Sequence, residues 1–174
     1  QWLRDQLGVI KNSKEIENKI KGVRDTNGVY FVPAFAGLGA PYWKADARGI
    51  ITGLTRGAND KHIMRAALES MAYQTKDVLD SMQKDLNKKI KELKVDGGAS
   101  QNNFLMQFQA DILPANIIRP KMIDSTVYGA ALLAGVTIGL FKEKDLSKLL
   151  KEDRVFIPKM DESKRKEMYM GWKM

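Results

Sequence analysis

Two adjacent glycines between a strand pattern and a helix pattern constrain the fold of this chain most. Lys91 to Val95 alternates charged and apolar side chains, as a half-buried strand does, and Asp96 then leads into Gly97 and Gly98. A helix pattern follows, with apolar residues at helical spacing at Phe104, Leu105, Phe108 and Ile112. Ser100 is predicted to cap that helix.

A glycine pair at a strand-to-helix turn is typical of a nucleotide site. Without Cβ atoms, Gly97 and Gly98 let a ligand lie against the main chain, and the free amides of the following helix point at the same corner. A tight connection that needs a positive φ angle explains the two glycines equally well. Because the pair is much shorter than a complete phosphate-loop signature, the pattern leaves both interpretations open.

Helix and strand patterns alternate over the rest of the chain, which predicts an α/β fold with parallel strands. The longest helix pattern runs from Ile63 to Leu86 behind a cap at Asn59 or Asp60, and its apolar stripe is wide enough to cover a sheet. Further strands are predicted at Val29 to Val32, within Gly49 to Leu54, and at Ile117 to Pro120. Further helices are predicted at Gln1 to Ile10, Glu15 to Lys21, Val127 to Leu140, and in the tail around Met168, Tyr169 and Trp172.

Length and composition exclude several classes of protein. The chain has 174 residues, of which 44% are hydrophobic, enough to bury a core and form one domain or a large piece of one. It has no cysteine, which rules out a disulfide framework and suits a reducing compartment. Its one histidine, His62, rules out a histidine-rich metal cluster and is predicted to be a surface or capping residue. The first residue, Gln1, is not Met and lies in a helix pattern, so we expect a segment of a longer protein.

The net charge of +8 raises the question of a nucleic-acid partner. Lysines concentrate in two stretches, Lys84 to Lys94 and Lys142 to Lys173, where acidic residues interleave with them. Mixed signs of this kind favour solvated helix faces over a binding surface. The most apolar run, Val127 to Phe141, is shorter than the roughly 20 residues that a bilayer span needs, so we predict a buried helix there. We therefore expect neither a nucleic-acid nor a membrane partner.

Several motifs resemble the C-terminal domain of the glycerol kinase family, and together they cover the chain from Gln1 to about Trp172. The run Gly-Leu-Gly-Ala-Pro-Tyr-Trp at 37–43 is specific to glycerol kinases among the carbohydrate kinases. The other motifs are Phe31 to Ala36, Ala47 to Gly49, Gly53 to Gly57, His62 to Thr75, Val95 to Ala99, Asn102 to Gln107 and Gly171 to Lys173. The resemblance implies a ribonuclease H-like domain of the actin-type ATPase fold.

The resemblance also implies a nucleotide site on this chain. By motif, Gly98 lies against the nucleotide, Asn102 contacts its adenosine side, and Gln1 contacts it from the end of the preceding helix. Gly97 is implied as a backbone neighbour. ATP and Mg²⁺ are the implied cofactors, but the resemblance places no metal ligand in this chain. Asp96 is predicted to order the turn or its helix rather than to act as a general base.

The family's catalytic base, glycerol-binding residues and phosphate-binding hairpin all precede the segment seen here. We therefore expect no catalytic residue in this chain and no activity from it alone. The early strands of the domain's sheet precede it too, which implies an incomplete sheet with an exposed edge.

Residues 1–174 are thus expected to be part of the C-terminal, nucleotide-binding domain of a larger enzyme. The implied reaction transfers the γ-phosphate of ATP to glycerol, giving sn-glycerol 3-phosphate, and the implied enzyme is a cytoplasmic homo-oligomer. Two alternatives remain: the same portion of another sugar kinase, and a non-catalytic basic interaction domain.

Overall fold

Seven α-helices and two small sheets form the structure, a computed structural model that describes residues Gln1–Met174. The helices, in chain order, are α1 (Trp2–Asp5), α2 (Ile16–Lys19), α3 (Asp60–Leu86), α4 (Asn103–Ile112), α5 (Ser125–Thr137), α6 (Leu146–Leu149) and α7 (Glu162–Lys173). The strands are β1 (Tyr30–Val32), β2 (Ile50–Thr52), β3 (Glu92–Lys94), β4 (Asn116–Pro120) and β5 (Glu152–Phe156). Short 3-10 helices precede α2, α4 and α6, at Ser13–Glu15, Gly98–Gln101 and Glu143–Asp145. This alternation confirms the predicted α/β class.

The larger sheet has the strand order β3-β4-β5. β3 and β4 are parallel, with Leu93 opposite Ile117, which confirms the predicted parallel pairing. β5 joins β4 in the antiparallel direction, with Val155 opposite Ile118. The sequence analysis missed β5 because four of its five residues are exposed, so it lacks the alternation of a half-buried strand. β3 and β5 each pair only with β4, so both edges of this sheet are unpaired.

The long helix α3 begins at a reciprocal cap. The Asn59 side chain accepts hydrogen bonds from the backbone amides of Lys61 and His62, while His62 Nδ1 accepts one from the Asn59 amide at 3.1 Å. This contact confirms the capping role predicted for His62. The helix ends at Asn87, whose φ of 50° is left-handed and stops the helical hydrogen bonding.

The main core lies between α3, α4, α7 and the larger sheet. Its centre is Tyr73 of α3, whose ring meets Phe108 edge-on at 5.5 Å between ring centroids and stacks on Trp172 at 5.2 Å. Ile117 and Phe156 close the core from the sheet. Burial of each of these large side chains stabilises the fold by about 1.5–3 kcal/mol.

A buried carboxylate on α3 fastens the C-terminal helix to this core. Asp77 is 4% exposed and accepts hydrogen bonds from the Tyr169 hydroxyl and, at 2.8 Å, from Trp172 Nε1. Lys173 Nζ lies 3.4 Å from the same carboxylate and supplies a compensating charge. The tail helix predicted around these residues is therefore part of the fold rather than an appendage.

Two of the helix predictions were partly wrong. The predicted helix at Gln1 to Ile10 is the single turn α1, because the chain leaves the helix and Gly8 adopts a φ of 63°. The predicted helix at Val127 to Leu140 exists as α5, but only Leu132 and Gly135 of α5 are buried. An apolar sequence makes a helix suitable for burial, but burial also needs a partner surface. No other segment of this chain covers the remaining apolar residues of α5.

None of the helices is both long enough and apolar enough to span a membrane.

Candidate functional site

Gly97 is required by the shape of the corner between β3 and the following 3-10 helix. Its φ is 77° and its ψ is 175°, a conformation that residues with a side chain rarely adopt. Its amide donates to the Ile123 carbonyl at 2.8 Å, which ties the corner to the segment after β4. The tight-turn interpretation of the glycine pair therefore accounts for Gly97.

Gly98 has a different role, because the fold does not require a glycine there. Its φ is not left-handed, and a Cβ atom added to it would meet no atom within 4 Å. The backbone amides of Gly98 and Ala99 donate to no atom of the chain. The second glycine thus exposes main-chain donors beside open space, which is where a ligand can approach closely.

The helix after the corner is capped by Asn102, so the prediction that Ser100 caps it was wrong. Asn102 Oδ1 accepts from the Leu105 amide at 2.8 Å, and α4 starts at Asn103. The buried Ser100 hydroxyl instead donates to the Gly97 carbonyl at 2.7 Å and closes the 3-10 turn. Because the side-chain oxygen makes the cap, the donors of the Asn102 side-chain NH2 group are not used by that bond.

A cavity of about 750 Å³ opens in front of this corner. Three of the four predicted site residues line it together: Gln1, Gly98 and Asn102. Gly97 lies next to the wall in sequence but does not line the cavity. The volume falls in the range of about 300–1,000 Å³ typical of small-molecule sites.

One side of the cavity is aromatic and aliphatic. The Trp2 ring lies 5.6 Å from the Phe31 ring and 5.4 Å from the Phe35 ring, measured between centroids, and all three line the cavity. Leu68 of α3 and Leu105 of α4 extend this wall. Apolar walls with a few polar groups at the rim suit a flat, mostly neutral ring system such as a nucleobase.

Glu17 is a lining residue that the sequence analysis missed. Its Oε2 accepts from the Asn103 amide at 3.0 Å, across a separation of 86 residues. Nothing in the local sequence of the 15–21 segment marks this contact, because it depends on how two distant segments pack. The Glu17 carboxylate accepts from the first amide of α4, and the free main-chain donors among the cavity-lining residues of the corner are those of Gly98 and Ala99.

Asp96 was predicted to order the turn or its helix, and the structure shows a contact with a different helix. Its carboxylate accepts a hydrogen bond from the Ser125 hydroxyl at the start of α5, so it links the corner to that helix. It does not line the cavity at Gly98. No group of three or more metal-ligating side chains comes together in the chain.

The carboxyl group with a large pKa shift lies outside the cavity. Glu69 is 2% exposed, and its burial raises its pKa to about 7, although Arg65 Nε at 2.8 Å opposes the shift. Arg65 also donates to the Val23 carbonyl at 2.8 Å, so the pair anchors α3 to the N-terminal segment.

Comparison with known proteins identifies related sequences over the whole chain. Residues 1–138 match the C-terminal domain of the FGGY family of carbohydrate kinases. A glycerol kinase of Caldanaerobacter subterraneus subsp. tengcongensis is 57% identical over 174 residues, which is 99% of this chain and 35% of that protein. A glycerol kinase of Shewanella frigidimarina is 55% identical over 173 residues, with the same two shares covered. The chain spans about a third of the length of the curated relatives it matches.

Solved structures share the fold. Plasmodium falciparum glycerol kinase, crystallised with ADP, aligns with a TM-score of 0.88 and 37% identity over 99% of this chain and 34% of that one. The ligand-bound xylulose kinase of Lactobacillus acidophilus aligns with a TM-score of 0.78 and 24% identity, over 97% and 34%. The likeness to the xylulose kinase extends to the fold alone. The predicted actin-type ATPase fold is thereby confirmed.

Proposed function

The chain belongs to the FGGY family of carbohydrate kinases through its C-terminal domain, and on that premise we propose that it is the nucleotide-binding portion of a glycerol kinase. The whole enzyme transfers the γ-phosphate of ATP to glycerol and produces sn-glycerol 3-phosphate. Such transfer depends mainly on positioning and charge neutralisation. In this proposal the chain holds the adenosine half of ATP in place.

The observation that carries the proposal is the open main chain at Gly98. A Cβ atom added to Gly98 would meet no other atom within 4 Å, and the Gly98 backbone amide has no hydrogen-bond partner. Asn102 and Gln1 line the same cavity as Gly98. Binding of ADP by the Plasmodium falciparum glycerol kinase supports a nucleotide as the occupant. We assign nucleotide contact to Gln1, Gly98 and Asn102, and to Gly97 the shaping of the turn that presents Gly98.

Glycerol is the favoured acceptor over other polyols and sugars. The relatives at 55–57% identity are glycerol kinases, whereas the xylulose and gluconate kinases of similar fold are 24% identical. The run at 37–43 supports the same choice. A non-catalytic basic interaction domain is not favoured, since the similarity to kinases extends over 99% of the chain.

The remaining parts of the enzyme are assigned to other segments. We propose that residues 1–174 form part of the C-terminal domain, and that the general base and the glycerol-binding residues lie in the N-terminal domain. Mg²⁺ accompanies the ATP phosphates in this proposal, and we assign none of its ligands to this chain. The enzyme acts in the cytoplasm, where ATP is available, as a homo-oligomer.

The test uses Gly98→Ala and Gly98→Val in the full-length enzyme. Because an added Cβ meets no protein atom, both variants should fold with unchanged melting temperature. The KM for ATP should rise with side-chain size, by about tenfold or more for valine, because the side chain displaces the nucleotide. The KM for glycerol should stay the same. An unchanged KM for ATP in Gly98→Val would remove the nucleotide from this corner.

The choice of acceptor is tested on the unaltered full-length enzyme. Its kcat/KM is compared for glycerol, xylulose and gluconate under one set of conditions. We expect glycerol to be preferred by a large factor. A higher kcat/KM for either of the other two compounds would assign the chain to a different sugar kinase, whatever the result at Gly98.

A further inference from the structure

Arg119 of β4 contacts the corner between the 3-10 turn and α4, and it does not line the cavity. Its Nη1 donates to the Ser100 carbonyl at 2.9 Å, to the Gln101 carbonyl at 3.4 Å, and to Asn103 Oδ1 at 3.1 Å. Its Nε donates to Asp153 of β5 at 2.8 Å, and the side chain is 12% exposed. The guanidinium group therefore joins three consecutive elements: the sheet, the 3-10 turn and the first residue of α4.

The corner depends on this side chain because its own backbone does not close it. In a continuing 3-10 helix the Asn103 amide would donate to the Ser100 carbonyl, but here it donates to Glu17. No backbone amide donates to the Ser100 or Gln101 carbonyl. Arg119 Nη1 is thus the donor that both carbonyls share, and the planar guanidinium group lets Nε bind Asp153 at the same time.

We propose that Arg119 is a positioning residue for nucleotide binding. The inference rests on the nucleotide site proposed above. Arg119 binds the residues on either side of Asn102 and so holds the junction between the 3-10 turn and α4 in one geometry. In that geometry Gly98 and Asn102 line the same cavity. Arg119 itself touches no cavity-lining position except the main chain of Gln101.

The chain offers a matched control on the neighbouring strand. Arg154 of β5 lies directly opposite Arg119 in the sheet, and both guanidinium groups lie over the Phe156 ring, at 4.6 Å and 5.2 Å from its centroid. Arg154 makes no contact with the corner. Arg154→Met and Arg119→Met therefore each remove one positive charge and a contact with the same ring, but only the second also releases the two carbonyls, Asn103 and Asp153.

The experiment measures KM for ATP, KM for glycerol, kcat and melting temperature in the full-length enzyme for both Met variants and for Arg119→Lys. We expect Arg119→Met to raise the KM for ATP by about tenfold or more with no change in the KM for glycerol. Arg119→Lys should give a smaller rise, because one ammonium group can donate to the two carbonyls but lacks the second, fixed donor that Arg119 directs to Asp153. Arg154→Met should keep the KM for ATP within about twofold of the parent enzyme.

Two results would overturn the proposal. One is an Arg119→Met enzyme whose KM for ATP matches that of Arg154→Met. The other is an equal rise in both KM values together with a lower melting temperature, which would make Arg119 a general structural residue. Should Arg119→Met not fold, Arg119→Lys decides by the same split between the two KM values. If Arg119→Met has no effect but Gly98→Val still raises the KM for ATP, only the positioning role of Arg119 is wrong. If Gly98→Val has no effect either, the proposed nucleotide site is wrong.

Discussion

Helices α4 and α5 each follow a parallel strand of the larger sheet and each is rich in apolar residues, yet only α4 is buried. In α4, six of ten residues are buried: Leu105, Met106, Phe108, Gln109, Ala110 and Ile112. In α5, two of thirteen are buried, while Val127 and Leu133 are 72% and 64% exposed. The helix with the more uniformly apolar sequence is therefore the less buried one.

The difference lies in what the rest of the chain supplies. α4 packs against α3 and α7 and against the sheet, so its apolar face has partners on three sides. The contacts of α5 include the Phe141 ring, which lies over Gly135, and hydrogen bonds from the Ser125 hydroxyl to Asp96 and from the Tyr128 hydroxyl to the Leu149 carbonyl. An exposed apolar face of this kind is typical of a surface that another segment or another protein covers.

The largest expected effect comes from truncating one leucine in each helix. Leu105→Ala in α4 should lower the free energy of unfolding of the chain by about 2–5 kcal/mol, because a fully buried side chain is lost and a cavity remains. Leu133→Ala in α5 should change it by less than about 0.5 kcal/mol, since the side chain is largely exposed. Urea unfolding measures both values, and equal values would break the comparison.

The same leucine pair in the full-length enzyme sharpens the comparison. The two substitutions change helix propensity equally, so they differ only in the surroundings of the side chain. If Leu133→Ala lowers the free energy of unfolding nearly as much as Leu105→Ala does, another part of the whole enzyme covers α5. If Leu133→Ala leaves the free energy of unfolding almost unchanged, α5 is solvent-exposed in the whole enzyme.

The stability of the chain should also depend on pH, through the buried carboxyl group of Glu69 in α3. Its pKa of about 7 in the folded chain is above the ordinary 4.5, so the folded chain binds this proton more tightly than the unfolded chain. The free energy of unfolding should therefore fall by roughly 3 kcal/mol from this group as the pH rises from about 4.5 to about 7. Glu69→Gln should flatten that part of the profile. Identical slopes for parent and variant in urea unfolding at several pH values would contradict the assignment.

A smaller effect is expected at the centre of the packed core, where the Tyr73 hydroxyl is buried without a hydrogen-bond partner. Tyr73→Phe should be neutral or stabilise the chain by up to about 1 kcal/mol, because no bond is lost. Tyr169→Phe is the matched control: its hydroxyl donates to Asp77, so its removal should cost about 1.5–3 kcal/mol. Thermal unfolding ranks the two, and a greater loss for Tyr73→Phe would mean that its hydroxyl is bonded after all.

The smallest change in stability is expected for a polar substitution on α5. Leu133→Gln should alter the free energy of unfolding by less than about 0.5 kcal/mol. It should reduce self-association of the 174-residue chain, because it breaks the exposed apolar face. Light scattering at increasing protein concentration measures this. Unchanged association would show that the α5 face does not drive contacts between copies.

The sequence predicted the local elements well where the signal lay within a few residues. The strand before Asp96, the helix that contains Phe108, and the cap at Asn59 all follow from periodicity or from a polar side chain before a helix. The cap at Ser100 was wrong by two residues, because a 3-10 turn delays the start of α4. The strand β5 was missed because its exposed, charged residues carry no apolar period.

The sequence by itself determined the order of the strands and helices from α3 to α5 and, through its motifs, the resemblance to a kinase family, since caps, periods and motifs are local properties. Only the tertiary structure distinguished the roles of the two glycines. Gly97 is needed for its left-handed φ in the turn, whereas Gly98 leaves the main chain accessible to a ligand. Only the tertiary structure brought Glu17 and Arg119 to the corner, from 86 and 19 residues away. Such contacts depend on the packing of distant segments, which leaves no local pattern in the sequence. The exposure of α5 follows from the same cause, because burial requires a partner surface as well as an apolar face.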